Sequence, residues 1–405
     1  MSFGSALGAL PTSLGATVVR DGSRTILAVD ISDQIQSGPT GAFAALDAIS
    51  HGWWAGFLSY DLGRAVEHVS PRAPVNAAIP DVSFLRFAAR AELATDGTMT
   101  RFGSGAARAA LDRALDAPPN VADPEPSGVW TSSLNQLEYE RGVRVIQELI
   151  RAGDCYQVNL ARRLTGPPLD PPALWSAVQS GNPAPHAMFW RDGRGLAIVS
   201  ASPERFLRID GRAVETRPIK GTAARAAPLR ASKKDHAENV MIVDLARNDL
   251  GRVCVPGSIH VPELCRVEAH PGLVHLVSTV RGELQPNVGL GELLRATFPP
   301  ASITGAPKPR VMQAIEDLEP VRRGVYCGAL GWFDADRDRG DFAVAIRTFA
   351  CTPQATTLGV GAGITIDSDP ASEWAETELK AARLLSVAGK RTANDPAIAL
   401  SRAAR

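Results

Sequence analysis

Apolar residues recur along this chain with two different periods, and the change from one to the other marks its organisation. Before residue 64, short runs such as "GATVVRDG", "TILAVD" and "WWAGFLSYDLG" set β-branched and aromatic residues between glycine turns. That pattern predicts strands with few helices. From Asn135 the period becomes helical. In "NQLEYERGVRVIQELIRAG", Asn135 and Glu138 have capping-box spacing, Val143, Ile146, Leu149 and Ile150 share a face, and Gly153 supplies the stop. The next segment, "CYQVNLARRL", alternates, so Tyr156 and Gln157 should point to opposite sides of a strand.

Further on, "LAIVSASPERFLRIDGRAVETRPIKGT" predicts three short strands with its middle turn at Asp210-Gly211, which places Glu204 and Lys220 at strand ends. "KKDHAENVMIVDLARNDLGRV" predicts a helix stopped near Gly251, and "SITGAPKPRVMQAIEDLEPVRRG" contains another that Pro320 limits. "CGALGWFDA", "DFAVAIRTFAC" and "TTLGVGAGITIDSD" read as strands, and "DPASEWAETELKAARLLSVAG" as a helix with Asp369 at its N-cap and Pro370 in its first position. The proline-rich, acidic "DAPPNVADPEPSG" separates a strand-rich part, residues 1–128, from residues 129–390, and residues 391–405 form a weakly patterned tail.

Composition narrows the class of partner. The chain has 405 residues, and its 43 basic and 43 acidic side chains cancel, so no global field would gather nucleic acid or an anionic membrane. Five scattered cysteines without a Cys/His cluster argue against a structural zinc or a disulfide framework and fit a reducing cytoplasm. No apolar run reaches the roughly 18 residues needed to span a bilayer. A small molecule or another protein is the expected partner.

Candidate chemistry follows from charged residues at structured positions. Glu238, Met241, Ile242 and Leu245 fall on one helical face, so a carboxylate leads an apolar stripe; one turn into its helix, it also suits the dipole and solvent. Glu373, Glu376 and Lys380 line one side of the last long helix, although Glu376 and Lys380 also make an ordinary exposed i,i+4 pair. Carboxylates on two helices, with oxygen as the only donor type, suit Mg²⁺ and an anionic substrate. Arg347, Lys380 and the backbone of "GVGAGIT" could contact that anion, while Gly359, Gly361 and Gly363 equally mark tight packing in a strand. Thr304 and Gly305 are expected at the start of a helix. Lys220, in "RPIKGTAAR", reads as a surface charge beside a turn glycine, an anion clamp or a nucleophile.

Nine strings together carry a resemblance: "CYQVNLARRL", "SPERFL", "RPIKGT", "AENVMIVDLARNDLGRV", "SITGAPKPRVMQAIEDLEP", "YCGALGWF", "AIRTF", "GAGI" and "EWAETELKAARLL". Their order resembles that of the chorismate-utilising enzymes, which include anthranilate synthase large chains, isochorismate and salicylate synthases and aminodeoxychorismate synthase component I. It covers about Asn135 to Ala388, and "SYDLGRAVE" is similar to the amino-terminal segment of the last branch. The resemblance implies an α+β fold, a four-layer α/β/β/α sandwich built from both parts of the chain, with the active site in a cleft between two halves. It implies Mg²⁺ on Glu238 and Glu376, with Glu373 acting through water. Arg347, Lys380, Thr304, Tyr326 and the backbone of Gly221, Gly361 and Gly363 would surround the substrate carboxylates, with Gln157 and Thr222 beside them. Glu204 would be the general acid for the departing 4-hydroxyl, a task that needs a carboxyl protonated near neutral pH.

Two positions separate the branches within that resemblance. Where isochorismate and salicylate synthases have a lysine that activates water, this chain has Gln157, which cannot take the proton. Where anthranilate and isochorismate synthases have alanine, it has Lys220, as aminodeoxychorismate synthases do. The resemblance then implies that Lys220 adds at C2 of chorismate and that ammonia adds at C4 and expels it. Asn239, where anthranilate synthases usually have histidine, points the same way. No Cys-His-Glu glutaminase segment is apparent, so a separate glutamine amidotransferase subunit, or free ammonium, is expected to supply ammonia. An anthranilate synthase large chain and a catalytically silent, amidotransferase-binding homologue are the alternatives. The usual glycine-rich stretch before "SITGAPK" is here Pro299 to Ala301, which stiffens that loop.

Overall fold

The strands that the β-period predicts pair in one continuous antiparallel ladder. A computed structural model describes residues 3–22, 24–74, 79–118, 128–223, 225–270 and 273–388. From Gln157–Gly166 the ladder runs through Thr356–Ile364, Thr348–Cys351, Ala197–Ser202, His186–Arg191 and Ala16–Arg20 to the long strand Arg24–Ser37. It continues through Val82–Ala94, Trp53–Leu58, Ala329–Asp334, Arg339–Val344, Arg205–Asp210 and Ala213–Arg217 to Leu273–Glu283, which also pairs with Ile219–Ala223 and His260–His270.

The ladder is folded over on itself, and side-chain alternation shows how. Trp53, Leu85 and Trp190 enter a central apolar layer with Trp332 and Ile198. Their neighbours Trp54 and Phe84 turn to a second layer, and Phe189 to a third. Strands covered on both faces must be apolar at consecutive positions, which explains the unbroken "WWAGFL". The helices Phe3–Ala9, Gly105–Asp116, Pro171–Gly181 and Pro370–Val387 close one outer layer through Leu7, Leu111, Leu174 and Leu384. Ala42–Asp47, Lys233–Gly251, Leu290–Thr297 and Lys308–Leu318 close the other through Leu46, Leu250, Leu294 and Met312. The result is the expected α/β/β/α sandwich.

The amino-terminal part is not a separate unit. Its strand Trp53–Leu58 pairs with Ala329–Asp334, and Ala16–Arg20 pairs with His186–Arg191. Most of the proline-rich segment and all of the 391–405 tail lie outside the described residues. One element count needs correcting: residues 197–223 form four strands, not three, because Pro218 splits the last run into Ala213–Arg217 and Ile219–Ala223. A proline lacks the N–H that a continuous ladder needs.

Candidate active site

The two ends of the ladder meet around Lys220. It sits second in Ile219–Ala223, opposite Leu276, and the register slips between Lys220 and Thr222. Gly221 occupies that slip at φ 77°, and a Cβ there would lie 2.7 Å from Leu229 Cδ1 and 2.9 Å from Asp235 Cγ, so only glycine fits without strain. The bulge lets Lys220 leave the ladder's regular alternation. Its Nζ donates to the Ser302 carbonyl at 2.9 Å. Burial pushes the ammonium down from the usual lysine range, against the attraction of Glu238 and Glu204. The side chain of Thr222 lies outside the described residues.

Glu204 precedes the strand Arg205–Asp210 and is only 4% exposed. Its Oε1 accepts from the Ile219 N–H at 3.4 Å, and its backbone carbonyl holds the Val344 N–H. Burial pushes the carboxyl up to about 7, while a hydrogen bond from the Ser302 side chain and the charge of Lys220 pull it down. Ser302 therefore touches both groups, with its carbonyl on Lys220 and its hydroxyl on Glu204. Nothing in the sequence signals this, because a serine in "PPASITG" is ordinary turn chemistry and its carbonyl carries no residue identity.

On the opposite wall, Gln157 is 2% exposed, as alternation with the 71%-exposed Tyr156 predicts. Its Oε1 is buried without a hydrogen-bond partner among the described residues. A Cβ on Gly363 would come within 2.2 Å of Gln157 Nε2 and 3.8 Å of Lys220 Nζ, so the bare backbone of Gly363 separates these two side chains. Gly361 presents its carbonyl to Lys380 Nζ at 2.8 Å, and Gly359 lies against the Tyr326 ring. The glycine pattern is thus the tight packing that its spacing allowed, located at the site wall. Burial holds the Tyr326 phenol well above its usual range.

Arg347 adopts φ 51° between two strands, and burial together with the Arg383 charge lowers its pKa. No carboxylate pairs with it among the described residues. An inward guanidinium repelled by another cation is suited to an anion that the chain itself does not supply.

Thr304 is displaced from its expected place. It follows the short turn Ala301–Ile303, its hydroxyl is turned back on the Pro300 and Ala301 carbonyls, and Gly305–Ala306 pair with the Gln157 strand before the helix begins at Lys308. It accordingly shapes the wall next to Gln157 and does not cap a helix. The Pro299–Ala301 stretch leads directly into this turn and so delivers Ser302 to Lys220.

The carboxylates also differ in part from their expected faces. The buried stripe of Lys233–Gly251 is Asn239, Ile242, Val243 and Ala246, so Glu238 lies at its edge, with Lys234 at 3.9 Å. Asn239 is fully buried, donates to the Leu276 carbonyl at 3.1 Å and accepts from the Ser278 hydroxyl. It thereby fastens this helix to the strand beside Lys220. In the last helix Glu373 turns inward and accepts from the Ser368 hydroxyl at 2.6 Å, whereas Glu376 and Lys380 are exposed and paired at 2.7 Å. Those three do not share one buried side.

Burial raises both Glu238 and Glu373, and the repulsion of Glu373 adds to Glu238 as that of Glu376 adds to Glu373. Among the described residues no three His, Cys, Asp or Glu form a ready metal cluster. The donors nonetheless fit a hard cation that takes one or two carboxylates and completes its shell with water and substrate.

No described helix is long and apolar enough to cross a membrane. The chain is 40% identical over 344 residues to aminodeoxychorismate synthase component 1 of Klebsiella aerogenes, covering 82% of this chain and 76% of that one. It is 37% identical to anthranilate synthase component 1 of Streptomyces coelicolor, covering 83% and 72%. The structure superposes on anthranilate synthase component I of Streptococcus pneumoniae with a TM-score of 0.80 and 27% identity, over 90% of this chain and 92% of that one. With the family model for the chorismate binding enzyme matching residues 17–386, around a half-buried lysine, a buried acid and an arginine with no carboxylate partner among the described residues, the chain belongs to the chorismate-utilising enzymes.

Proposed function

We propose that the chain is component I of an aminodeoxychorismate synthase, converting chorismate and ammonia to 4-amino-4-deoxychorismate, a precursor of para-aminobenzoate and folate. The observation that carries this reading is Lys220 Nζ, held largely out of solvent beside Glu204 and facing Gln157 across Gly363. Burial favours the neutral amine, the form that attacks. The amine adds at C2 as the double bond shifts and the 4-hydroxyl leaves with the Glu204 proton as water. Ammonia then adds at C4, the double bond returns, and Lys220 departs as a free amine. Fixing the first nucleophile within the chain makes the first addition intramolecular. Gln157 offers no base for water, and Arg347 and Lys380 would hold the substrate carboxylates.

Magnesium would be held by Glu238 and Glu376, with Glu373 acting through water. When bound, it would neutralise and orient a substrate carboxylate. Glu238→Ala should leave the melting temperature near that of the wild type. It should weaken Mg²⁺ binding in the presence of chorismate at least about tenfold, measured by calorimetry. Unchanged Mg²⁺ affinity would remove Glu238 from the site. The ammonia source would be a separate glutamine amidotransferase subunit in the cytoplasm, consistent with the word "component" in the relatives' names.

The similarity of 37% to an anthranilate synthase keeps that reaction as the second reading. Incubation with chorismate, Mg²⁺ and ammonium, with products identified by mass, separates the two. Aminodeoxychorismate is expected, and direct release of anthranilate with pyruvate would overturn the proposal.

A further inference from the structure

A small cavity, of about 30 Å³, lies behind Glu204 and includes none of Lys220, Gln157, Tyr326, Arg347 or Lys380 in its lining. Its walls are largely apolar, with Ile242 and Ala246 from the helix Lys233–Gly251, but its lining also includes Glu204 with Ser302 and Asp249 with Thr297. Asp249 is bound by Lys308 Nζ at 2.6 Å, and the same ammonium donates to the Thr297 carbonyl at 3.1 Å. Both side chains of that pair are 6% exposed. The other charged lining residue, Arg205, is tied to Glu215 and Asp341.

A buried ion pair stabilises a fold little more than an apolar pair of the same volume would, so its presence behind a general acid calls for a reason beyond stability. The carboxylates and hydroxyls in this lining give water the two to four partners that it needs in a cavity of this kind. Past the pair, the half-exposed Glu67 and the exposed Arg252 act electrostatically on both Asp249 and Lys308, so the outer end of the run is close to solvent.

On the proposed reading of Glu204 as the general acid, we infer that this cavity is the route by which Glu204 regains its proton between turnovers, with water linking its carboxyl to the Asp249–Lys308 pair. Each turnover takes one proton from Glu204 into the departing water, while the substrate covers the front of the site. Lys308 then passes one proton to the Asp249 carboxylate that lines the cavity, Asp249 hands one through cavity water to the Glu204 carboxylate, and the Lys308 amine takes one back from solvent on the Glu67 side. Nothing is oxidised or reduced.

The test separates the first turnover from the following ones. Ala246→Leu fills the cavity without changing a charge, and Asp249→Asn combined with Lys308→Met removes the relay without leaving a lone buried ion. With enzyme in excess over chorismate at pH 6, Glu204 is already protonated, so both variants should react at the wild-type single-turnover rate. In steady state both should be slower by about tenfold with an unchanged KM, showing a burst of one product per site. If Ala246→Leu does not fold, the double variant carries the test. Equal losses in the single-turnover and steady-state rates would mean that the cavity only supports the position of Glu204, and an unchanged steady-state rate would mean that the proton comes from the front; either result overturns the inference. Glu204→Gln is the control for the reading beneath it. If that variant keeps the wild-type single-turnover rate, the general-acid assignment has failed, and not merely the route.

Discussion

Lys220→Ala is expected to lower the formation of aminodeoxychorismate at least about a thousandfold while chorismate still binds, because it converts an intramolecular addition into one that needs a nucleophile from solution. The binding groups Arg347 and Lys380 are untouched, so the loss should appear in kcat more than in KM. The space opened beside Gly363 should admit ammonia or water to C2, giving a slow leak of C2 products, and Gln157→Lys in this background should bias the leak toward water. The Glu204 carboxyl should also titrate higher, since the lysine charge is one of the groups that pull it down. Rapid quenching of the wild-type enzyme with chorismate and no ammonia should show a peptide containing Lys220 heavier by chorismate less water. If Lys220→Ala turns over at the wild-type rate, the lysine is a positioning charge only.

What the sequence could show of this site depends on whether each feature is local. The capping box at Asn135 and Glu138 forms as read, and Asp369 caps its helix ahead of Pro370, because both motifs are closed by neighbours in the chain. The opposite placement of Tyr156 and Gln157 follows from the strand period alone. Features that depend on distant partners were hidden. The apolar residues between Met241 and Ala246 fit two helical faces one residue apart. The face that is buried is the one whose polar members have partners elsewhere, Asn239 with Ser278 and Asp249 with Lys308. The sequence places Thr304 at the start of a helix because nothing in Gly305–Ala306 signals pairing with the Gln157 strand. Ser302 carries no local signal for the same reason: its role lies in a backbone carbonyl and in a loop path fixed by the fold. The order of the motifs compensated, since it carried Glu204 and Lys220 to one site that neither helix nor strand patterns could assemble.

Glu204→Gln should abolish most activity and yet stabilise the protein at alkaline pH. General-acid catalysis contributes typically about a hundredfold to ten-thousandfold, and an amide cannot supply the proton, so kcat should fall within that range. In the wild type, activity should decline by about tenfold per pH unit above a carboxyl pKa of about 7, because only the protonated form donates. The same shift works against the folded state. A carboxyl that titrates near 7 when folded and near 4.5 when unfolded binds its proton more tightly in the native protein. Native stability must therefore fall as pH rises from about 4.5 to about 7, and above that window the buried carboxylate costs roughly 3 kcal/mol. Glutamine keeps an oxygen for the Ile219 N–H and has no charge to bury. The variant should match the wild-type melting temperature near pH 4.5 and exceed it by several degrees at pH 8, which thermal unfolding at the two pH values would show. Removing the Ser302 hydroxyl in Ser302→Ala, which deletes one group that lowers this carboxyl, should move the alkaline limb of the wild-type profile upward. An equal difference in melting temperature at both pH values would mean that Glu204 is not held protonated by burial, and the acid role would lose its physical basis.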